Sequence, residues 1–158
     1  MPIIYLSPST QEWNEYVTGS GSEEYNMNLL ADALEPYLLS NGIQYRRNSP
    51  DMTAASSIRE ANSGWYDFYL ALHSNGAPEG RYGQERGIIA FYYPGSTEGR
   101  RAAEIVAENL KNISFESMIQ IGRRYAAHPL IQCELPGILL GRETSQGCGW
   151  NKNLSLIH

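Results

Sequence analysis

Of the three histidines in the chain, His73, His128 and His158, only His73 closes a strongly apolar run, Asp67-Phe68-Tyr69-Leu70-Ala71-Leu72-His73. A neutral imidazole at the end of such a segment ligates a metal, acts as a base, or sits buried with its ring bonded to a carbonyl. Glu24, with Glu23 before it and Asn28 one turn on, opens the first long helical pattern. There the positive end of the helix dipole favours a carboxylate whether or not it has a chemical task. Asn75 stands in Ser74-Asn75-Gly76, an ordinary turn signal and also a carboxamide able to bond a ligand shell or a substrate. The local signatures HExxH, GxSxG, the P-loop and GxGxxG are all missing from the sequence. A reactive centre built on His73 must therefore draw on residues distant in the chain.

The elements that would position these residues follow from hydrophobic period. Pro2-Ile3-Ile4-Tyr5-Leu6 reads as a buried strand stopped by Ser7-Pro8-Ser9. Met27, Leu30, Ala31, Leu34, Tyr37 and Leu38 recur at helical spacing between an N-cap at Ser22 and a stop at Gly42, with Pro36 predicting a kink or a split. Ile43 to Arg46 reads as a second strand, Ala54 to Ala61 as a second helix ended by Ser63-Gly64, and Asp67 to His73 as a central strand. After a Gly-rich loop, Ile88 to Tyr93 is another strand, and Ser96 caps a helix with Ala102, Ala103, Ile105, Val106 and Leu110 on one face. Past Ile113 one apolar run stands out, Leu135 to Leu140. This alternation predicts an α/β fold, with a mostly parallel or mixed central sheet and helices on both faces. In such a sheet, ligands bind beyond the carboxyl ends of the strands, which is where His73 falls.

With 158 residues, the chain is expected to form one domain, 1–158, in which 114–158 is poorly patterned. Apolar residues at 42% and charged residues at 18% exclude a disordered composition. The formal net charge of -5 repels a phosphate backbone and argues against nucleic acid as a partner. The acidic excess lies in residues 1–80, which hold 10 acidic and 3 basic side chains. No apolar run is long enough to span a membrane, and the start MPIIYLSPSTQEWN shows neither the basic nor the apolar region of a signal peptide. Cys133 and Cys148 allow one optional disulfide and no zinc ribbon.

The block Arg59-Glu60-Ala61-Asn62 through Asp67 to His73-Ser74-Asn75 resembles the Arg, Ala-Asn, Asp, apolar, His-x-Asn block of the zinc-dependent N-acetylmuramoyl-L-alanine amidases, the amidase 3 family. Two further stretches keep the family's order: Glu24-Tyr25-Asn26-Met27-Asn28 resembles its helix start, and Gly87 to Tyr93 resembles its Gly-apolar-x-x-x-Tyr-Tyr strand. With the flanking pattern, the resemblance covers roughly residues 1–113.

The resemblance implies an amidase 3 fold, a peptidoglycan substrate, action at the bacterial cell wall, and hydrolysis of the amide between N-acetylmuramic acid and L-alanine. It implies Zn2+ as cofactor, with Glu24 and His73 as metal ligands, Asn75 at the substrate and a late glutamate as general base and acid. Zinc would lower the pKa of water toward ~7 and polarise the amide carbonyl. The sequence departs from the family in two places. The family's first ligand is a histidine in a Gly-His-Gly loop; the corresponding loop here, Ser7 to Asn14, has no imidazole, leaving the third ligand open among Gln11, Glu12, His128 and water. The family's last strand ends in its glutamate, whereas here Pro136 to Leu140 is followed by Gly141, and Glu143 comes two residues later, about 6.6 Å farther along a strand. Glu143 is the candidate for the catalytic carboxylate. Rival readings are a non-catalytic peptidoglycan-binding module, an inactive homologue altered after Ile113, and a carboxylate-pair glycosidase.

Overall fold

A computed structural model of the chain describes residues 1–16, 19–75, 87–93, 95–110, 120–123 and 137–143. In chain order the elements are β1 (Ile3–Pro8), α1 (Glu23–Ser40), β2 (Gln44–Arg47), α2 (Ala54–Ser63), β3 (Phe68–Asn75), β4 (Gly87–Tyr92), α3 (Thr97–Leu110), β5 (Gln120–Arg123) and β6 (Gly137–Glu143). The strands form one sheet in the order β2-β1-β3-β6-β4-β5. Pairing is parallel throughout except between β4 and β6, so the sheet is mixed. The expected α/β architecture is the one observed.

Alternation along β1 and β3 sorts the core. Ile4, Leu6 and Leu72 pack with Met27, Ala31 and Leu38 of α1, while Tyr5, Tyr69 and Ala71 pack with Ile58 and Ala61 of α2. Helices α1 and α2 therefore cover opposite faces. Ala103 of α3 packs on Ala90 and Tyr92 of β4, and this cluster shares Phe68 and Leu70 with the α1 side. Gly99, Ala103 and Ala107, one turn apart, are the buried residues of α3, and their small side chains let it approach the sheet closely.

Local signals set the ends of these helices. Ser22 caps α1, its hydroxyl accepting the Tyr25 N–H at 3.1 Å, and Gly42 takes φ +72° just past the C-cap Asn41, a conformation that glycine enters without strain. Thr53 and Ser56 form a reciprocal capping box at α2. Pro36 does not split α1, which runs unbroken past it. The carbonyl it deprives is that of Asp32, on the exposed side of the helix, where the loss of one backbone bond is not buried. Asp67 joins two strands at their starts. Its carboxylate accepts the Ile3 N–H at 2.8 Å and ties the start of β1 to β3.

Of the run read as Leu135 to Leu140, residues 137–140 lie in β6, whose place is central, between β3 and β4. Strand β5, which the sequence pattern did not suggest, forms the outer edge beside β4.

Candidate functional site at the carboxyl ends of β1 and β3

Strands β1, β2, β3 and β6 run parallel, so their carboxyl ends share one edge of the sheet. His73 lies there, third from the end of β3 and only 9% exposed. Its Nδ1 lies within hydrogen-bond distance of Oε1 of Glu23, at 2.8 Å. The Ser74 backbone N–H donates to the same oxygen at 3.2 Å. The other carboxylate oxygen, Oε2, accepts from Asn14 Nδ2 at 2.6 Å. Glu23 is 2% exposed, and these donors satisfy a carboxylate that would otherwise be costly to bury.

The loop from β1 to α1 builds the rest of the wall. Asn14 O accepts the Glu23 N–H at 2.8 Å, Tyr16 N–H donates to Gly21 O at 2.9 Å, and Glu15 and Ser22 face each other in an antiparallel bridge. Tyr16 OH donates to Ser74 Oγ at 2.6 Å, anchoring the loop to the end of β3. Beside His73, a small concavity is lined by Ser7, Pro8, Ser9, Thr10, Gln11, Asn48 and Ala54.

The carboxylate brought to His73 is thus that of Glu23, not the expected Glu24. The reason is helical phase: successive side chains are turned about 100° apart. Glu23 continues the buried stripe of Met27, Ala31 and Leu38, whereas Glu24 shares a flank with Asn28 and Glu35, which bond Arg47. Glu24 sits at intermediate burial, and its carboxyl is held above the usual carboxylate range, first by burial and then by the nearby charges of Glu12 and Asp51. The phase of the apolar stripe was a signal in the sequence that could have identified Glu23. Asn14 and Tyr16 lie in a loop and carried no such signal.

Of the other candidates, Gln11 lines the concavity with His73, and Glu12 stands within electrostatic reach of Glu24. In the sheet register, Gly141 pairs with His73 and Glu143 pairs with Asn75, which puts both candidates on the same edge, two residues beyond the imidazole. The side chains of Asn75 and Glu143, together with His128, Cys133 and Cys148, lie outside the described residues. Trp13 and Trp65, 59% and 95% exposed, belong to the surface and not the core. Among the described residues, no group of three His, Cys, Asp or Glu converges, and no helix is long and apolar enough to cross a membrane.

Neither a protein-family model nor a curated protein matches the chain by sequence. Solved structures do match it by fold. An N-acetylmuramoyl-L-alanine amidase from Clostridium difficile 630 superposes with a TM-score of 0.72 at 18% identity, over 88% of this chain and 77% of that one. The N-acetylmuramoyl-L-alanine amidase AmiC2 of Nostoc punctiforme gives 0.69 at 14% identity, over 88% and 77%. The catalytic domain of the amidase CwlV from Bacillus (Paenibacillus) polymyxa gives 0.67 at 13% identity, over 92% and 82%. At these identities the likeness is one of fold.

Proposed function

We propose that the chain is a zinc-dependent peptidoglycan hydrolase, acting at the bacterial cell wall on the amide between the lactyl group of N-acetylmuramic acid and L-alanine. The observation that carries this reading is the buried contact of His73 Nδ1 with the Glu23 carboxylate at 2.8 Å, on the ligand-binding edge of a sheet whose fold is that of solved amidases of this class.

The donor set suits the metal. An imidazole nitrogen and a carboxylate oxygen are ligands of the kinds zinc takes, and both are held in place by further hydrogen bonds. His73 and Glu23 would hold the ion. Glu24, the carboxylate first expected in that role, would stand beside it as a second acidic group at the helix start. Zinc supplies Lewis acidity, polarising the scissile carbonyl and lowering the pKa of water. The protein's own groups do the remaining work. Glu23 neutralises positive charge at the buried end of β3. Glu143, at the end of β6 on the same edge, is the base that takes a proton from water and returns it to the leaving amine. Asn75, its partner in the sheet register, bonds the substrate.

Incubation of the purified protein with isolated sacculi, with and without a chelator, tests this. The expected result is release of new L-alanine amino ends that stops with chelator and is absent in His73→Ala. Release of reducing sugar ends instead would make the protein a glycosidase. Sacculus binding without any release, at stoichiometric zinc, would favour the second reading, a peptidoglycan-binding module, which the pairing of only two metal-type ligands among the described residues also allows.

A further inference from the structure

The Glu23 carboxylate is held from two sides. Its Oε1 is shared by His73 and the Ser74 N–H, two contacts that leave the second oxygen, Oε2, to be met from elsewhere. Asn14 meets it. Its Nδ2 donates to Oε2 at 2.6 Å, while its backbone carbonyl accepts the Glu23 N–H at 2.8 Å, so a single loop residue grips both the side chain and the backbone of the first residue of α1. Among the described residues Asn14 is the only side chain bonded to Oε2. The loop that delivers it is itself pinned to the end of β3 by the Tyr16 to Ser74 hydroxyl bond.

We infer that Asn14 is a positioning residue for the His73–Glu23 pair, setting the carboxylate plane so that the imidazole nitrogen and the carboxylate oxygen are presented together to a metal ion. This deepens the metal-assisted reading above and rests on it for the identity of the ion. The amide satisfies Oε2 without bringing a further charged side chain into the buried pair.

The test uses Asn14→Leu, which keeps the shape and the backbone bond but loses the donor, with Asn14→Ala as a second variant. Asn26→Ala is the control: its amide bonds Ser20 O and Ser22 O, bracing the same helix start without touching the pair. Zinc dissociation constants are measured by competition with a chelating dye, and the His73 Nδ1–H resonance is followed by NMR in zinc-free protein. Both Asn14 variants should bind zinc about 10- to 100-fold more weakly and lose or broaden that resonance through faster exchange. Asn26→Ala should lower the melting temperature while leaving zinc affinity and the resonance unchanged. Variants of Asn14 that match the wild type in both measurements overturn the inference, as does an equal loss in the Asn26 control. If the wild type binds no zinc, the metal reading falls, while the resonance still decides whether Asn14 holds the pair.

Discussion

On the face covered by α1, the sheet offers Ile4, Leu6 and Leu72 to Met27, Ala31 and Leu38, whereas on the face covered by α2 it offers Tyr5, Tyr69 and Ala71 to Ile58 and Ala61. The first contact is aliphatic. The second is aromatic and wired by hydroxyls: Tyr5 stacks on Tyr69 at 5.7 Å and meets Tyr66 edge-on at 5.2 Å, and Tyr69 OH donates to Ser7 Oγ at 3.0 Å. His73 continues the alternation of Tyr69 and Ala71, and so belongs by position to the tyrosine face. Glu23 continues the apolar stripe of α1 and belongs to the aliphatic face. The candidate site takes one residue from each pattern, where both run out at the same edge. A buried imidazole–carboxylate pair can thus be assembled by two ordinary packing periodicities that end together.

The comparison predicts different responses to truncation on the two faces. Leu6 is fully buried, and Leu6→Ala leaves a cavity with no polar group to reorganise. A loss of about 2–5 kcal/mol is expected in urea unfolding, unchanged between pH 6 and 10. A loss under about 1 kcal/mol would mean that α1 collapses onto the sheet and that its face is not rigidly packed.

On the tyrosine side the corresponding test is Asn48→Ala. Asn48 is buried, and its amide donates to Pro8 O at 3.1 Å, Ser57 Oγ at 3.2 Å and Ser7 Oγ at 3.4 Å, joining the end of β1 to α2. Removing it leaves buried acceptors unpaired and should destabilise by about 1–3 kcal/mol. Because the same residue lines the concavity beside His73, a change in the His73 resonance should accompany the loss. An undisturbed resonance would separate the hydroxyl network from the site.

These two faces also explain what was legible. The strands β1 and β3 and the helix α1 announced themselves through short-range period, with Ser22 and Gly42 as punctuation. His73 was legible because it terminates an apolar run. Glu23 and Glu24 looked equivalent as helix-start acids, and only the phase of the buried stripe separates them. Asn14 acts through a folded-back loop, which has no period to read. Strand β6 was visible as an apolar run, but its place between β3 and β4 is set by partners more than 45 residues away, as with Leu140 beside Leu72 and Ala90. Such pairing is decided by long-range burial and register, to which no local pattern refers.

A smaller effect with a clear pH signature is expected of Tyr5→Phe. Tyr5 OH donates to Glu60 Oε2 at 2.7 Å, and its phenol is held well above its ordinary value, first by burial and then by that bond and the Glu60 charge. The folded state keeps the proton that the unfolded state releases near pH 10, so this contribution is complete below about pH 10 and is lost as pH rises above it. The wild type should therefore lose stability on the alkaline side more steeply than Tyr5→Phe. At neutral pH the variant should lie about 1 kcal/mol below wild type. Parallel alkaline curves would remove Tyr5 from the account.

The smallest effect probes how far the hydroxyl network extends. Arg46 pairs with Glu60 at 3.2 Å, with the two side chains 61% and 32% exposed, so Glu60 links a buried phenol to a solvent-facing guanidinium. An exposed pair of this kind contributes about 0–1 kcal/mol and is screened by salt. Arg46→Gln should accordingly cost at most a few tenths of a kcal/mol, and nothing measurable at 1 M salt. In a double-mutant cycle with Tyr5→Phe, coupling should appear at low salt, because Arg46 helps to keep Glu60 in place for the phenol. Coupling that persists at high salt would mean that Arg46 acts by packing its aliphatic stem on α2, which would shift the tyrosine face toward the mode of cohesion found under α1.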